Sequence, residues 1–198
     1  DVLLWGCREG SRIRLNFQVP SQYEDEELAF VSLMDSLYIP ARPEGENYPD
    51  AVINLIYGGL LSSLNAAGAQ AKVYKRYLLK KIIDRLSKDN SAKTLSIEYM
   101  PYIMNFLGII YLSYAFDKSD GRDFKIVKSL FDTAIKHQDL ITSPIHLGCI
   151  YNHLGQLYDC ATRYMDKNPA AYFKGAIEYY RLAQKYLSKY TYPYDYGY

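Results

Sequence analysis

Two stretches of this chain carry the same pattern, and that internal repeat restricts the fold more than any other feature. In the first, Leu107, Gly108 and Tyr111 are followed by Val127, Phe131 and Ala134; in the second, Leu154, Gly155 and Tyr158 are followed by Ala176, Tyr180 and Ala183. Spacings of three and four residues place each set on one face of a helix, so each stretch predicts two helices pressed together. The glycines let the second helix approach closely, the tyrosines fill the space between layers, and the alanines keep the contact narrow.

The rest of the chain is organised around the same kind of element. Residues 1 to 23, with Gly6, Gly10, Pro20 and an alternating stretch from Arg12 to Val19, read as an extended arm or short strand. Glu24 to Glu27 place negative charge where a helix begins, which predicts a helix over 24–38. Three prolines and Gly45 between Ile39 and Asp50 predict a loop. Pro49 and Asp50 open a helix to about residue 66, and Ala71 to Leu86 forms another. Further helices are expected over about 96–116, 123–137, 143–165 and 169–190, the last opened by Asn168 and Pro169. A third, looser hairpin would set Tyr57, Gly58 and Leu61 against Val73 and Tyr77. The resulting division is 1–45 for the arm and one helix, 46–190 for the helical repeats, and 191–198 for a Tyr-rich tail.

The Leu-Gly-x-x-Tyr element followed by small, aromatic and small residues resembles the tetratricopeptide repeat family, over residues 97–190, about half of the chain. The repeat offset is longer than the family's, because residues 117–123 and 165–169 enlarge the turn inside each hairpin, and the proline that commonly ends the second helix is absent at Ser188. The resemblance implies an all-α fold: a right-handed solenoid of stacked antiparallel hairpins, here with an N-terminal extended arm. It also implies that the first helix of each hairpin lines a concave groove for a partner. On this chain those positions are Tyr102, Asn105, Ile109 and Leu112, then Cys149, Asn152, His153, Gln156 and Asp159. Asn105 and Asn152 match in position, and an amide both donates to and accepts from a peptide backbone; two ordinary polar residues on an exposed face are the plainer alternative. Family members that clamp a C-terminal carboxylate use Lys and Arg there, whereas these positions are mostly neutral, so a neutral or aromatic peptide fits better.

Charge and composition narrow the function. With 23 basic and 22 acidic residues the formal charge is +1, which disfavours a general nucleic-acid binder. The basic residues do gather locally: Lys72, Lys75, Arg76, Lys80, Lys81, Arg85 and Lys88 stand among Val73, Tyr77, Leu78, Leu79, Ile82 and Ile83. Such a helix is either a solvated outer face or a surface for an acidic partner, an anionic lipid or the phosphate backbone of a nucleic acid. The chain holds 22 tyrosines, which suit narrow helical layers and protein-binding grooves alike.

No apolar run is long enough for a membrane span. Three cysteines, Cys7, Cys149 and Cys160, form no disulfide framework and favour a reducing compartment. The first residue is Asp1 rather than Met, so the chain reads as a processed product or fragment and its localisation is left open. His146, Cys149 and His153 share one helix face, but the outer two stand about 10 Å apart along the axis, too far to hold one ion, and no metal or other cofactor is expected. No phosphate loop, paired CxxC, HExxH or GxSxG element occurs, so catalysis is not expected. The expectation is a scaffold or adaptor that holds a peptide or neighbouring subunit, within a larger assembly, with the arm and tail as added contacts. The alternative is a regulatory module that binds a polyanion through residues 72–88.

Overall fold

The computed structural model describes residues 3–18, 36–43, 45–64, 69–88, 96–115, 121–165 and 168–187. The chain is mostly helical, with a small antiparallel sheet of three strands in the order β1-β2-β3. β1 (Leu3–Glu9) and β2 (Arg12–Gln18) form a hairpin in which Glu9 faces Arg12 and Leu3 faces Gln18. Its tight turn needs Gly10, whose φ of +63° lies in the left-handed region. The expected arm is therefore a paired ribbon.

β3 (Ser36–Pro40) completes the sheet, with Asn16 opposite Ser36 and Arg12 opposite Pro40. This corrects the end of the helix expected over 24–38 and adds a small sheet to the otherwise helical fold; the earlier part of that helix, 24–35, lies outside the described residues. The physical reason is coverage on both faces. Ser36, Leu37, Tyr38 and Ile39 are all buried, and in a strand enclosed on both sides apolar residues need not alternate. Between Ser36 and Asn16 a side-chain hydrogen bond of 2.8 Å satisfies the buried hydroxyl.

Six α-helices follow among the described residues. α1 (Asp50–Ser63) begins after Pro49, α2 spans Ala69–Lys88, and α3 (Met100–Ala115) is entered through a 3-10 turn at Ile97–Tyr99. α4 spans Gly121–Lys136, α5 Pro144–Tyr164 and α6 Pro169–Gln184. At the start of α6, Asn168 adopts the left-handed conformation and its side chain accepts a hydrogen bond from the Ala171 N–H, as its pairing with Pro169 predicted. Consecutive helices pack as pairs, α1 with α2, α3 with α4 and α5 with α6, and the short connections make each pair antiparallel. Successive pairs also touch: α3 meets α1 and α2, and α5 meets α3 and α4.

The repeated glycines are where two of these pairs close. A Cβ on Gly108 would overlap the Phe131 ring, and one on Gly155 would overlap the Tyr180 ring. Phe131 and Tyr180 are the equivalent aromatic positions of the two repeats, so one contact is built twice. In the α5–α6 pair Tyr158 reciprocates by lying over Gly175. Tyr111 does something else: its hydroxyl lies 3.3 Å from Ser87 Oγ on α2, in the preceding pair. The α1–α2 pair departs further from the expected hairpin. Gly58 receives Ile110 of α3 rather than a side chain of α2, while Tyr57, Val73 and Tyr77 are each more than half exposed.

The sheet lies across the first helices of the pairs. Phe17 packs on the Phe106 ring at 5.3 Å and beside Gly59, and Tyr38 packs on Tyr102 at 4.4 Å. His146, near the start of α5, meets both tyrosine rings edge-on. One core runs from Phe17 through the helices to Cys160. Phe17, Leu37 and Ile39, each almost fully buried, contribute about 1.5–3 kcal/mol apiece to holding the sheet there.

Candidate functional site

The positions expected to line a concave groove are interior. Tyr102, Asn105, Ile109, Leu112, Cys149, Asn152, His153 and Gln156 are all buried, and Asp159 is half-buried and paired with Arg163 at 2.8 Å. Their expected exposure is corrected, and the cause differs along the stack. Tyr102 lies under β3, and its hydroxyl accepts a 3.0 Å hydrogen bond from the Thr142 N–H. Asn105 and His153 face each other between α3 and α5, with His153 Nδ1 3.0 Å from Asn105 Oδ1. A protonated Nδ1 donates this bond, and the imidazole stacks on Phe131 at 5.7 Å. Cys149 packs against Ala183 and Leu187. His146, Cys149 and His153 thus meet different neighbours, and among the described residues no three His, Cys, Asp or Glu side chains are grouped as metal ligands. Among the described residues, too, no helix is long and apolar enough to cross a membrane.

Four of the 22 tyrosines form an aromatic row along the last pair. Tyr186 stacks on Tyr151 at 5.9 Å, Tyr151 on Tyr179 at 6.5 Å, Tyr179 meets Tyr158 at 5.1 Å, and Phe124 of α4 closes the row at 5.2 Å from Tyr158. Burial raises the phenol pKa values of Tyr151 and Tyr158, and raises that of Tyr180 furthest, with the nearby Asp159 charge adding to the effect.

Open surface of mixed character lies on the first pair. α2 buries Leu79, Ile82, Ile83 and Leu86 against the core and turns Val73, Tyr74 and Tyr77 outward, at 67%, 62% and 52% exposure. Of the basic residues expected to form a working surface, Lys72 is exposed and Arg76 is half-buried. Lys75 Nζ donates to the Leu64 carbonyl at 2.6 Å, tying down the end of α1, and Lys80 bonds both carboxylate oxygens of Asp84 at 3.0 and 3.2 Å. That hydrogen bond raises the Lys80 pKa. Lys81 lies 4.5 Å from the centre of the Tyr77 ring, a cation–π contact.

Beside this face, Asp50, Ile53, Asn54 and Tyr57 of α1 and Arg85 and Lys88 of α2 line an open groove of about 660 Å³. Positions 50, 53 and 57 share the outer side of α1 because Ala51, Val52, Leu55, Gly58, Gly59 and Ser62 occupy the buried side, and Asn54, itself buried, borders the groove. Ile53 and Tyr57 are 41% and 59% exposed. The groove combines an apolar and aromatic wall, two cationic donors, one carboxylate and an amide. Sequence reasoning missed it by assigning Tyr57 to an internal contact. The stripe of small residues on α1 was the available signal, since small side chains mark the side on which another helix comes close.

Comparison with protein-family models, curated proteins and solved structures finds no match to this chain.

Proposed function

We propose that the chain is a protein-interaction scaffold or adaptor: a divergent, tetratricopeptide-like solenoid of helical hairpins that holds a partner segment or neighbouring subunit on the outer face of its first hairpin. The single observation that carries this reading is the apolar and aromatic surface left on α1 and α2, where Ile53, Tyr57, Val73, Tyr74 and Tyr77 are all more than 40% exposed beside a groove. Large exposed side chains grouped in this way mark interaction surfaces, and tyrosine anchors are enriched at them. The wedge repeated in the α3–α4 and α5–α6 pairs supports the hairpin-stack part of the proposal.

The test is quantitative co-purification from the native source with the full chain and with a Tyr57→Ser, Tyr77→Ser double variant. A specific partner lost from the variant, at an unchanged unfolding midpoint, is the expected result. Partners retained in full by the variant contradict this surface.

The polyanion alternative rests on Lys72, Lys75, Arg76 and Lys80, and α2 as a whole carries seven basic residues against the single Asp84. Lys75 donates to the Leu64 carbonyl and Lys80 pairs with Asp84 within the chain, which favours the protein-binding reading. Steeply salt-dependent binding of heparin, abolished by Lys75→Glu with Arg76→Glu, would reverse that preference.

A further inference from the structure

The chemistry of the groove goes further than the presence of a partner, and on the reading that this face binds protein, we propose that it takes an acidic amphipathic helix. Three observations converge. First, α2 holds seven basic residues and one acidic residue, whereas the whole chain has a formal charge of only +1. The positive potential is therefore concentrated on this helix, and a partner of opposite sign is complementary to it. Second, the positive and apolar groups occupy separate walls: Arg85 and Lys88 on α2, Ile53 and Tyr57 on α1. A segment with carboxylates on one side and aliphatic or aromatic side chains on the other satisfies both walls at once.

Third, the dimensions suit a helix. Tyr74, Tyr77, Lys81, Arg85 and Lys88 follow one another along α2 at spacings of three and four, a stripe of about 21 Å at 1.5 Å per residue. A partner helix of about 14 residues spans it. The volume of about 660 Å³ accommodates side chains, and a phosphate backbone would leave the Ile53 and Tyr57 wall unused. Asp50 lines the groove as well, so the partner's carboxylates are confined to the α2 side.

The experiment is a display selection of random 16-residue peptides on the full chain, counter-selected on an Ile53→Ser, Tyr57→Ser double variant. The enriched peptides are then synthesised and titrated against the full chain and an Arg85→Glu, Lys88→Glu double variant. All four positions are exposed, and the unfolding midpoint of each variant checks that it folds. The expected result is a consensus rich in Asp and Glu with Leu, Phe or Trp at spacings of three and four, and binding weakened about tenfold or more by the charge reversal. A neutral or basic consensus, or affinity unmoved by the reversal, overturns the acidic-helix proposal while leaving the binding face in place. A selection with no peptide dependent on Ile53 and Tyr57 overturns the binding face as well. Heparin competing for the full chain with equal strength in the Ile53→Ser, Tyr57→Ser variant makes the surface a polyanion site and overturns the proposal too.

Discussion

His153 shows how a polar residue on a helix face becomes part of the interior. Its Nδ1 reaches Asn105 at 3.0 Å and its ring stacks on Phe131, so His153→Ala removes a buried hydrogen bond and leaves both a cavity and an amide that has lost this partner. Destabilisation of about 2–4 kcal/mol is expected, read as a lower midpoint in urea unfolding. An unchanged midpoint would mean that the α3–α5 contact is absent in solution. The glycines give a second measurement. Ala is favoured over Gly in a helix by about 1 kcal/mol, but here the added methyl would enter the rings of Phe131 and Tyr180. Gly108→Ala and Gly155→Ala are therefore each expected to lower stability by about 1–3 kcal/mol, the opposite of the usual sign. The glycines were legible in the sequence because in both repeats the Leu-Gly-x-x-Tyr element is followed by an aromatic set between small residues at spacings of four and three. Asn105 and His153 were not, because a hydrogen-bonded polar pair in a core and two solvated polar residues have the same helical spacing.

Among the elements, the helices were legible because capping residues and apolar periodicity agree, as at Asn168 and Pro169. β3 was not, because Leu37, Tyr38 and Ile39 are a short apolar run whose state is decided by pairing with β2 and by burial, neither of which is local. The α5–α6 pair carries its own pH signature. Burial raises the folded-state pKa of Tyr180, and with it those of Tyr151 and Tyr158, above the unfolded value of about 10. Each neutral phenol therefore contributes stability that is complete below pH 10 and is lost as pH rises towards the folded pKa. Phenolate absorbance in the folded chain is expected to lag behind that of the urea-unfolded chain. Tyr180→Phe keeps the ring over Gly155 and is expected to move the alkaline unfolding midpoint upward. An unmoved midpoint would mean that the Tyr180 hydroxyl is solvated.

At the scale of the whole molecule, the chain's own three-stranded sheet packs on α1 and α3. Phe17 on Phe106 and Tyr38 on Tyr102 join strands and helices in one core, which moves the available surface outward to α1 and α2. The pairing of α3 with α4 and of α5 with α6 followed from the repeat; the position of the sheet did not, because no local pattern in residues 3–18 specifies which helices they cover. Radical footprinting of the full chain, with oxidation read tyrosine by tyrosine, tests this arrangement most directly. Rapid labelling of Tyr57, Tyr74 and Tyr77 with protection of Tyr38, Tyr99 and Tyr102 is the predicted result. Labelling of Tyr38 and Tyr102 with protection of Tyr57 and Tyr77 would contradict it, placing the open face on the first helices of the pairs and the contact surface away from α1 and α2.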